Sequence, residues 1–226
     1  MNGSFKASLA EFIGTFTLIF IGAGAGAIAS TAGIGQLGVA WAHGLALMVI
    51  VYCWGSISGA HVNPAVTFGV LLAGRMGFVR TLLYWIAQCL GAVAAAYLLQ
   101  YLLTPGAGVG PGQTIGSLTP TGGNVGDAIK VILLEGVLTF FIVVAVFASG
   151  VQNRNGNIAG VAIGLVLTMD IILGGGLTGA SMNPARTLGP AVVMKNMDYL
   201  WMYVVGPLAG GGLGALVYDR LFTSPE

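Results

Sequence analysis

Charge is what this sequence of 226 residues has least of: only 7% of it is Asp, Glu, Lys or Arg, against about 25% in soluble domains. The formal net charge of +1 excludes a basic surface for nucleic acid. Hydrophobic residues make up 56% of the chain, and the mean hydropathy is +0.92. This composition excludes a soluble domain and predicts an integral membrane protein.

Cysteine is also scarce. Cys53 and Cys89 lie in separate apolar runs, and neither has the spacing to a second Cys or His that a metal site needs. We interpret both as packed thiols. No nucleophile, base and orienting group can be assembled from the pattern. We therefore expect no enzyme activity, no cofactor and no metal.

Long apolar runs, in contrast, are abundant. Six of them have the ~20 residues that cross a ~30 Å hydrocarbon core. They lie near 8–30, 37–58, 79–103, 127–149, 158–175 and 198–222. Two shorter segments, at roughly 63–73 and 183–193, reach only ~16 Å. The expected fold is an all-α membrane protein with six transmembrane helices and two re-entrant half-helices.

The sequence is duplicated. "SGAHVNPAVTFG" at 58–69 returns 120 positions later as "TGASMNPARTLG" at 178–189, and "GLAL" at 44–47 returns as "GLVL" at 164–167. "AEFIGTF" at 10–16 is echoed by "LEGVLTF" at 134–140. Each half holds three spanning helices, and because three is odd the second half enters from the opposite side. We predict an inverted internal repeat within one domain, 1–226. Its parts are repeat 1 at about 5–103, a loop at 104–126 and repeat 2 at about 127–224.

Each Asn-Pro pair predicts a helix start. Asn63 and Asn183 would be the N-caps, and Pro64 and Pro184 would occupy N1. If the half-helices enter from opposite faces, their N-termini meet at the midplane, and their dipoles disfavour cations and protons there. Each asparagine can cap its own helix and still aim an amide N–H into a lumen.

Small residues lead into both half-helices. We expect an extended backbone whose carbonyls line a water-filled path, since irregular backbone occurs at membrane depth only beside a cavity or inside protein. Such a path favours a neutral, hydrogen-bonding permeant. The path residues are Gly59, Ala60, His61, Gly179 and Ser181. His61 either lines the vestibule or braces the loop, and both roles are compatible with pH-dependent conduction.

Three acids interrupt the apolar helices. Glu11 and Glu135 occupy matching places in the repeat, as a proton-relay pair or as buried structural acceptors. We favour the structural role, in which each carboxylate accepts from backbone N–H groups of a re-entrant segment. Asp170 either faces the outer vestibule or pairs with a polar neighbour, and the pattern does not decide.

Two boxes, Asn63-Pro64-Ala65 and Asn183-Pro184-Ala185, open the half-helices, and Arg186 follows the second. With these boxes, that arginine and the paired glutamates, the chain resembles the aquaporins of the major intrinsic protein family over essentially its whole length. The resemblance implies a right-handed six-helix channel in the lipid bilayer, usually a homotetramer with one pore in each subunit.

In that family a ring of four side chains narrows the pore on the outer side. Carried over by local pattern, the ring comprises His43, Ile171, Ala180 and Arg186. Strict water channels usually have Phe at the position of His43 and His at the position of Ile171. Glycerol facilitators usually have aromatic residues at the positions of His43 and Ala180. The set found here resembles plant tonoplast-type aquaporins, several of which also conduct ammonia. Thr187 and Ala191 replace the acidic and basic residues of glycerol facilitators, whereas Val204 departs from the water-channel pattern.

We therefore expect a passive channel for water and small neutral solutes such as ammonia, excluding protons and ions. The alternatives are a broader glycerol and urea facilitator, an alternating-access transporter and a non-conducting adhesion protein. The distribution of basic residues places both termini in the cytoplasm. Inside would be Lys6, Arg75, Arg80, Arg154 and Arg220, against Lys130, Lys195 and Arg186 outside, and Arg186 has an intramembrane explanation. The expected location is a cell membrane (plasma or inner), with a vacuolar-type membrane as the alternative.

Overall fold

The computed structural model describes residues 3–103, 117–118, 125–151 and 156–223. Most of the predicted loop at 104–126, and Arg154, lie outside them. The described residues form six long helices and two short ones. They are α1 Gly3–Ile28, α2 Gly35–Ser58, α3 Pro64–Leu72, α4 Phe78–Leu102, α5 Val125–Val146, α6 Ala159–Thr178, α7 Pro184–Met194 and α8 Met202–Phe222. A π-helical turn at Ile19–Ala23 interrupts α1, and a second at Phe147–Val151 follows α5.

The predicted fold class is confirmed. Five helices combine the length and hydropathy needed to cross a membrane, with mean hydropathies from 1.6 to 2.7. The sixth long helix, α8, has 21 residues and packs along α5. Large apolar side chains face outward from several helices, including Ile86, Leu133 and Leu213, which are 57–62% exposed. A soluble monomer rarely carries an apolar surface of this extent, and a bilayer covers it.

Both half-helices begin at the Asn-Pro pairs. The Asn63 side-chain oxygen accepts from the Ala65 N–H at 2.8 Å. The Asn183 oxygen accepts from the N–H groups of Ala185 and Arg186 at 3.0 and 3.3 Å. Pro occupies the first turn of both helices, where its missing N–H costs nothing. Each cap contributes about 1 kcal/mol, a large share for helices of 9 and 11 residues.

The two halves interlock about the crossing of α2 and α6. A Cβ on Gly44 would lie 2.6 Å from the Gly164 carbonyl oxygen, and a Cβ on Gly164 would lie 2.5 Å from the Gly44 oxygen. Only glycine at both positions permits this approach. Each half-helix packs on the last long helix of the other half, α3 on α8 and α7 on α4. Each half therefore buries part of its surface against the other.

The re-entrant segments differ from the prediction: their backbone is not extended. Three residues of each segment have left-handed torsions, with φ between +42° and +91°. They are Gly59, Ala60 and Val62 in the first segment and Gly179, Ala180 and Met182 in the second. Each of the four non-glycine residues costs about 1–2 kcal/mol in this conformation. The prediction failed because backbone conformation here is set by buried acceptors on distant helices.

Candidate functional site

A cavity of about 670 Å³ runs between the two halves of the bundle. Tyr52 and Asn157 lie at one end, where the Tyr52 hydroxyl donates to the Asn157 carbonyl at 2.9 Å. We call this end the Tyr52 mouth. His43 and Arg186 line the opposite end, which we call the Arg186 end. Residues 59–63 and 181–183 form the wall between the two ends.

Asn63 and Asn183 meet in the middle of that wall and join the two halves. Asn63 Nδ2 donates to the Met182 carbonyl at 2.8 Å, and Asn183 Nδ2 donates to the Val62 carbonyl at 2.9 Å. A side-chain amide has two N–H groups. One N–H of each asparagine is therefore committed to the opposite half, and the other remains for the cavity that both residues line.

Glu11, fully buried on α1, gathers the donors of the first re-entrant segment. Oε1 accepts from the Ser58 hydroxyl at 2.6 Å and the His61 N–H at 2.9 Å. Oε2 accepts from the Val62 N–H at 2.6 Å and Gln88 Nε2 at 2.8 Å. All four described partners of the group are donors, and the two oxygens of a carboxylate together can accept from four donors.

Glu135 repeats the arrangement in the second half. Oε1 accepts from the Thr178 hydroxyl at 2.7 Å and the Ser181 N–H at 3.0 Å, and Oε2 accepts from the Met182 N–H at 2.7 Å. Glu135 is likewise fully buried. The described hydrogen bonds of both glutamates come from the re-entrant segments, from Ser58 and Thr178 at the helix ends before them, and from Gln88. Both carboxylates are therefore positioned as structural acceptors.

The carboxylates offset the strain of these segments. Two non-glycine residues per segment in the left-handed region cost about 2–4 kcal/mol together. Two backbone N–H groups donating to a charged oxygen contribute about 3–6 kcal/mol. The left-handed turns point successive N–H groups at one carboxylate, and the bonds gained there hold the backbone in that conformation.

A tyrosine supports each segment from behind. The Tyr84 hydroxyl donates to the Ser58 carbonyl at 2.8 Å, and the Tyr203 hydroxyl donates to the Thr178 carbonyl at 2.6 Å. Sequence reasoning missed both tyrosines and Gln88. The tyrosines lie 119 positions apart in helices that the repeat equates, so searching the last helix of each half for matched polar residues would have found them. Gln88 has no polar counterpart.

His43 lines the Arg186 end of the cavity. Its Nδ1 lies 2.9 Å from the Val39 carbonyl, which can only accept, so Nδ1 carries the proton of the neutral ring. Nε2 is then an acceptor, and it is buried without a hydrogen-bond partner among the described residues. A Cβ on Gly22 would overlap this ring, so Gly22, another residue that sequence reasoning missed, makes room for it.

Arg186 lies across from His43 in the first turn of α7, and both side chains are about 95% buried. Glu135 is the opposite charge that acts on its guanidinium. The structure therefore brings together two members of the predicted ring. Ile171 and Ala180 are each 2% exposed, and within the described chain neither lines this cavity. The Ile171 carbonyl accepts from Gln36 Nε2 at 2.8 Å, which ties α2 to α6 at that level.

His61 lines the cavity on the Tyr52 side of Asn63 and also braces its own loop. Its Nδ1 lies 3.1 Å from the Thr67 hydroxyl, and its ring meets that of Tyr84 edge-on. In the other half, the Ser181 hydroxyl lies 2.6 Å from that of Thr187. The two roles weighed for His61 are thus both compatible with the geometry.

The remaining residues of the two boxes lie behind the pore wall. Ala65 and Ala185 are fully buried. Pro64 and Pro184 line a separate apolar hollow of about 190 Å³ between α4 and α8, together with Cys89. Asp170 does not face an open vestibule: it is 1% exposed, and its Oδ2 has no hydrogen-bond partner among the described residues.

Comparison with known proteins identifies relatives over nearly the whole chain. A family model described as "Major intrinsic protein" matches residues 2–218. Aquaporin TIP1-1 of Zea mays is 43% identical, with 98% of this chain and 89% of the relative covered. Aquaporin TIP2-1 of Arabidopsis thaliana is 39% identical, with 97% and 88% covered. The structure of the aquaglyceroporin from Plasmodium falciparum superposes with a TM-score of 0.76 at 26% identity, covering 96% of both chains.

Proposed function

Because this chain belongs to the major intrinsic protein family, and is therefore a passive transmembrane channel and not an enzyme, we propose that its permeants are water and ammonia. The observation that carries the proposal is that His43 and Arg186 line the same end of the cavity. The imidazole supplies an acceptor and the guanidinium supplies donors. A small neutral molecule that both donates and accepts is matched on both sides.

Ammonia fits this pair as well as water does. Its lone pair accepts from the Arg186 guanidinium, and one N–H donates to His43 Nε2. The same guanidinium repels ammonium, so the neutral form is the permeant. Replacing the histidine by an apolar residue would leave the donors without an opposing acceptor.

Protons and metal cations are excluded by charge at two levels. Arg186 carries a fixed positive charge at one end of the cavity. The N-termini of α3 and α7 meet at the centre through Asn63 and Asn183, and each contributes roughly half a positive charge. The positive ends of half-helices are a known barrier to protons and cations in channels.

A broader glycerol and urea facilitator remains the second candidate. One solved structure with a similar fold is titled an aquaglyceroporin. Against that role here, Thr187 bonds to Ser181 instead of presenting an acid. An alternating-access transporter is disfavoured because Glu11 and Glu135, the paired acids, are occupied by the re-entrant segments.

We further propose a homotetramer with one pore in each subunit, and cytoplasmic termini. We call the predicted ring of His43, Ile171, Ala180 and Arg186 the proposed filter. The location would be a cell membrane, or a vacuolar-type membrane as in the tonoplast-type proteins that this filter resembles. Crosslinking in native membranes would test the assembly state. Protease protection of an N-terminal epitope in sealed vesicles would test the orientation.

The proposal is tested by stopped-flow light scattering of reconstituted vesicles under water, ammonia, glycerol and urea gradients. We expect water and ammonia fluxes well above those of protein-free vesicles, and glycerol and urea fluxes close to theirs. A glycerol flux comparable with the water flux would favour the second candidate. A saturable flux that depends on an ion gradient would overturn the channel assignment.

A further inference from the structure

The offset of 120 residues relates positions in space as well as in sequence. Asn63 and Asn183 make the same bond to opposite segments, and Ser58 and Thr178 donate to equivalent glutamates. Gly44 meets Gly164 at the crossing of α2 and α6. Two residues 120 positions apart therefore occupy equivalent places on opposite sides of the asparagines, one toward the Tyr52 mouth and the other toward the Arg186 end.

The proposed filter has a counterpart under this relation. Each of its members maps by the same offset onto one residue near the Tyr52 mouth. These four residues are Val51, Ala60, Val66 and Ile163. All four line the cavity, although they come from three separate parts of the chain. None of the four side chains can donate or accept a hydrogen bond.

We infer that Val51, Ala60, Val66 and Ile163 form a second specificity-determining ring, which favours ammonia over water. We call it the apolar ring. The inference rests on the proposed permeants and on the proposed filter, whose positions define it. The ring stands on the Tyr52 side of the asparagines, whereas Arg186 and His43 stand on the other side, so a permeant crosses the two rings in sequence.

The physical basis is the cost of losing hydrogen bonds in a constriction. The four side chains of the apolar ring offer a permeant neither donors nor acceptors, and residues 59–62 form the neighbouring wall of the cavity. Apolar constrictions in channels disfavour water by dewetting. Ammonia makes weaker hydrogen bonds with water than water itself does, so it gives up less on entry. The Arg186 end selects for hydrogen-bonding geometry, and the apolar ring selects against strong hydration.

The test replaces two ring valines by threonine, Val51→Thr and Val66→Thr, and measures water and ammonia permeabilities in vesicles. Threonine has the shape of valine, and in a helix its hydroxyl can donate to the carbonyl four residues back, leaving lone pairs for the lumen. The matched control is Val49→Thr, two positions away on α2, where the side chain is 57% exposed on the outer surface.

We expect the ammonia-to-water permeability ratio of the double variant to fall about two- to tenfold, the range that one added hydrogen bond spans. Water flux should rise, and the control should match the wild type. If the double variant does not fold, Val51→Thr alone replaces it, because Val51 is only half-buried. This single variant adds one hydroxyl instead of two, so we expect a smaller fall of the ratio.

The possible failures can be told apart. Wild-type vesicles without water or ammonia flux would overturn the proposed function, and the apolar ring with it. A conducting wild type whose ratio is unchanged in the folded threonine variants would overturn the ring alone. An equal fall of the ratio in Val49→Thr would also overturn the ring, because it would show that the change does not depend on the cavity.

Discussion

Asn63 and Asn183 each cap their own half-helix and hold the other half of the molecule. Each side-chain oxygen accepts from an N–H two residues on, while each amide nitrogen donates across the repeat at 2.8 and 2.9 Å. One residue type thereby provides a helix start, a link between halves and a donor to the cavity. Aspartate or serine could provide the cap, but neither has an amide for the other two roles.

Replacing either asparagine by alanine should destabilise the bundle. Asn63→Ala and Asn183→Ala each remove a cap and a cross-repeat bond, which together contribute about 1–3 kcal/mol. The two variants should lose similar amounts, measured by denaturant unfolding in detergent. Asn196→Ala is the control, because that side chain makes one long loop bond of 3.4 Å. A loss no larger than the control's would contradict the assigned roles.

Replacing either buried glutamate should destabilise the bundle more than replacing either asparagine. Glu11→Gln and Glu135→Gln keep the shape, but the new NH₂ group faces backbone donors and leaves them unpaired. We expect each to lose at least about 2–3 kcal/mol. Glu11→Gln should lose more, because Gln88 also donates to that carboxylate.

Thermal unfolding in detergent measures the effect of both glutamine variants. Asp127→Asn serves as the control: it weakens an exposed ion pair with Lys130 at 3.1 Å, and should cost less than about 1 kcal/mol. Glutamine variants that melt with the wild type would show that the carboxylates do not hold the re-entrant segments.

Removing the charged member of the filter, together with His43, should broaden selectivity. Arg186→Val combined with His43→Ala clears the Arg186 end of its donors, its acceptor and its fixed charge. We expect glycerol and urea permeabilities to rise about tenfold, the change that ~1.4 kcal/mol of barrier represents, and charged solutes to begin to pass. Vesicle flux assays measure this, with the exposed Arg220→Val as the control. Selectivity equal to that of the wild type would refute the filter assignment.

Mercurials should inhibit the wild-type channel only weakly. Within the described chain neither cysteine lines the cavity: Cys53 is exposed on the outer surface of α2, and Cys89 borders the hollow behind the half-helices. Placing a thiol on a residue that does line the cavity, with Val51→Cys, should introduce a block that reducing agents reverse. Strong, thiol-reversible inhibition of the wild type would contradict the placement of both cysteines outside the cavity.

Much of the architecture could be predicted because its causes are local. Run length and hydropathy indicate the spans, and an Asn-Pro pair at the head of a short apolar segment indicates a half-helix start. The repeat is visible in the letters, and it implies opposite insertion of the halves because each contains three spans. The contrast between Arg186 and Val66 also marks the end of the path at which a charged filter would lie.

The site depends on contacts that no local pattern contains. The left-handed turns of residues 59–62 were missed because Glu11 creates them from a helix about 50 positions away. Gln88 was missed because the second half has no polar equivalent. Asp170 was left open, and packing buries it. Each of these outcomes depends on which helix faces the residue once the halves interlock.

The sequence by itself determined the spans, the two half-helices, the duplication and the single charged box, because chain length, hydropathy and capping act within a few residues. Only the tertiary structure decided how the re-entrant backbone turns, which donors the buried carboxylates collect, and which nitrogen of His43 bonds to the Val39 carbonyl. Those features follow from packing between segments up to about 120 residues apart, where a fully buried polar group must find its partner on another helix.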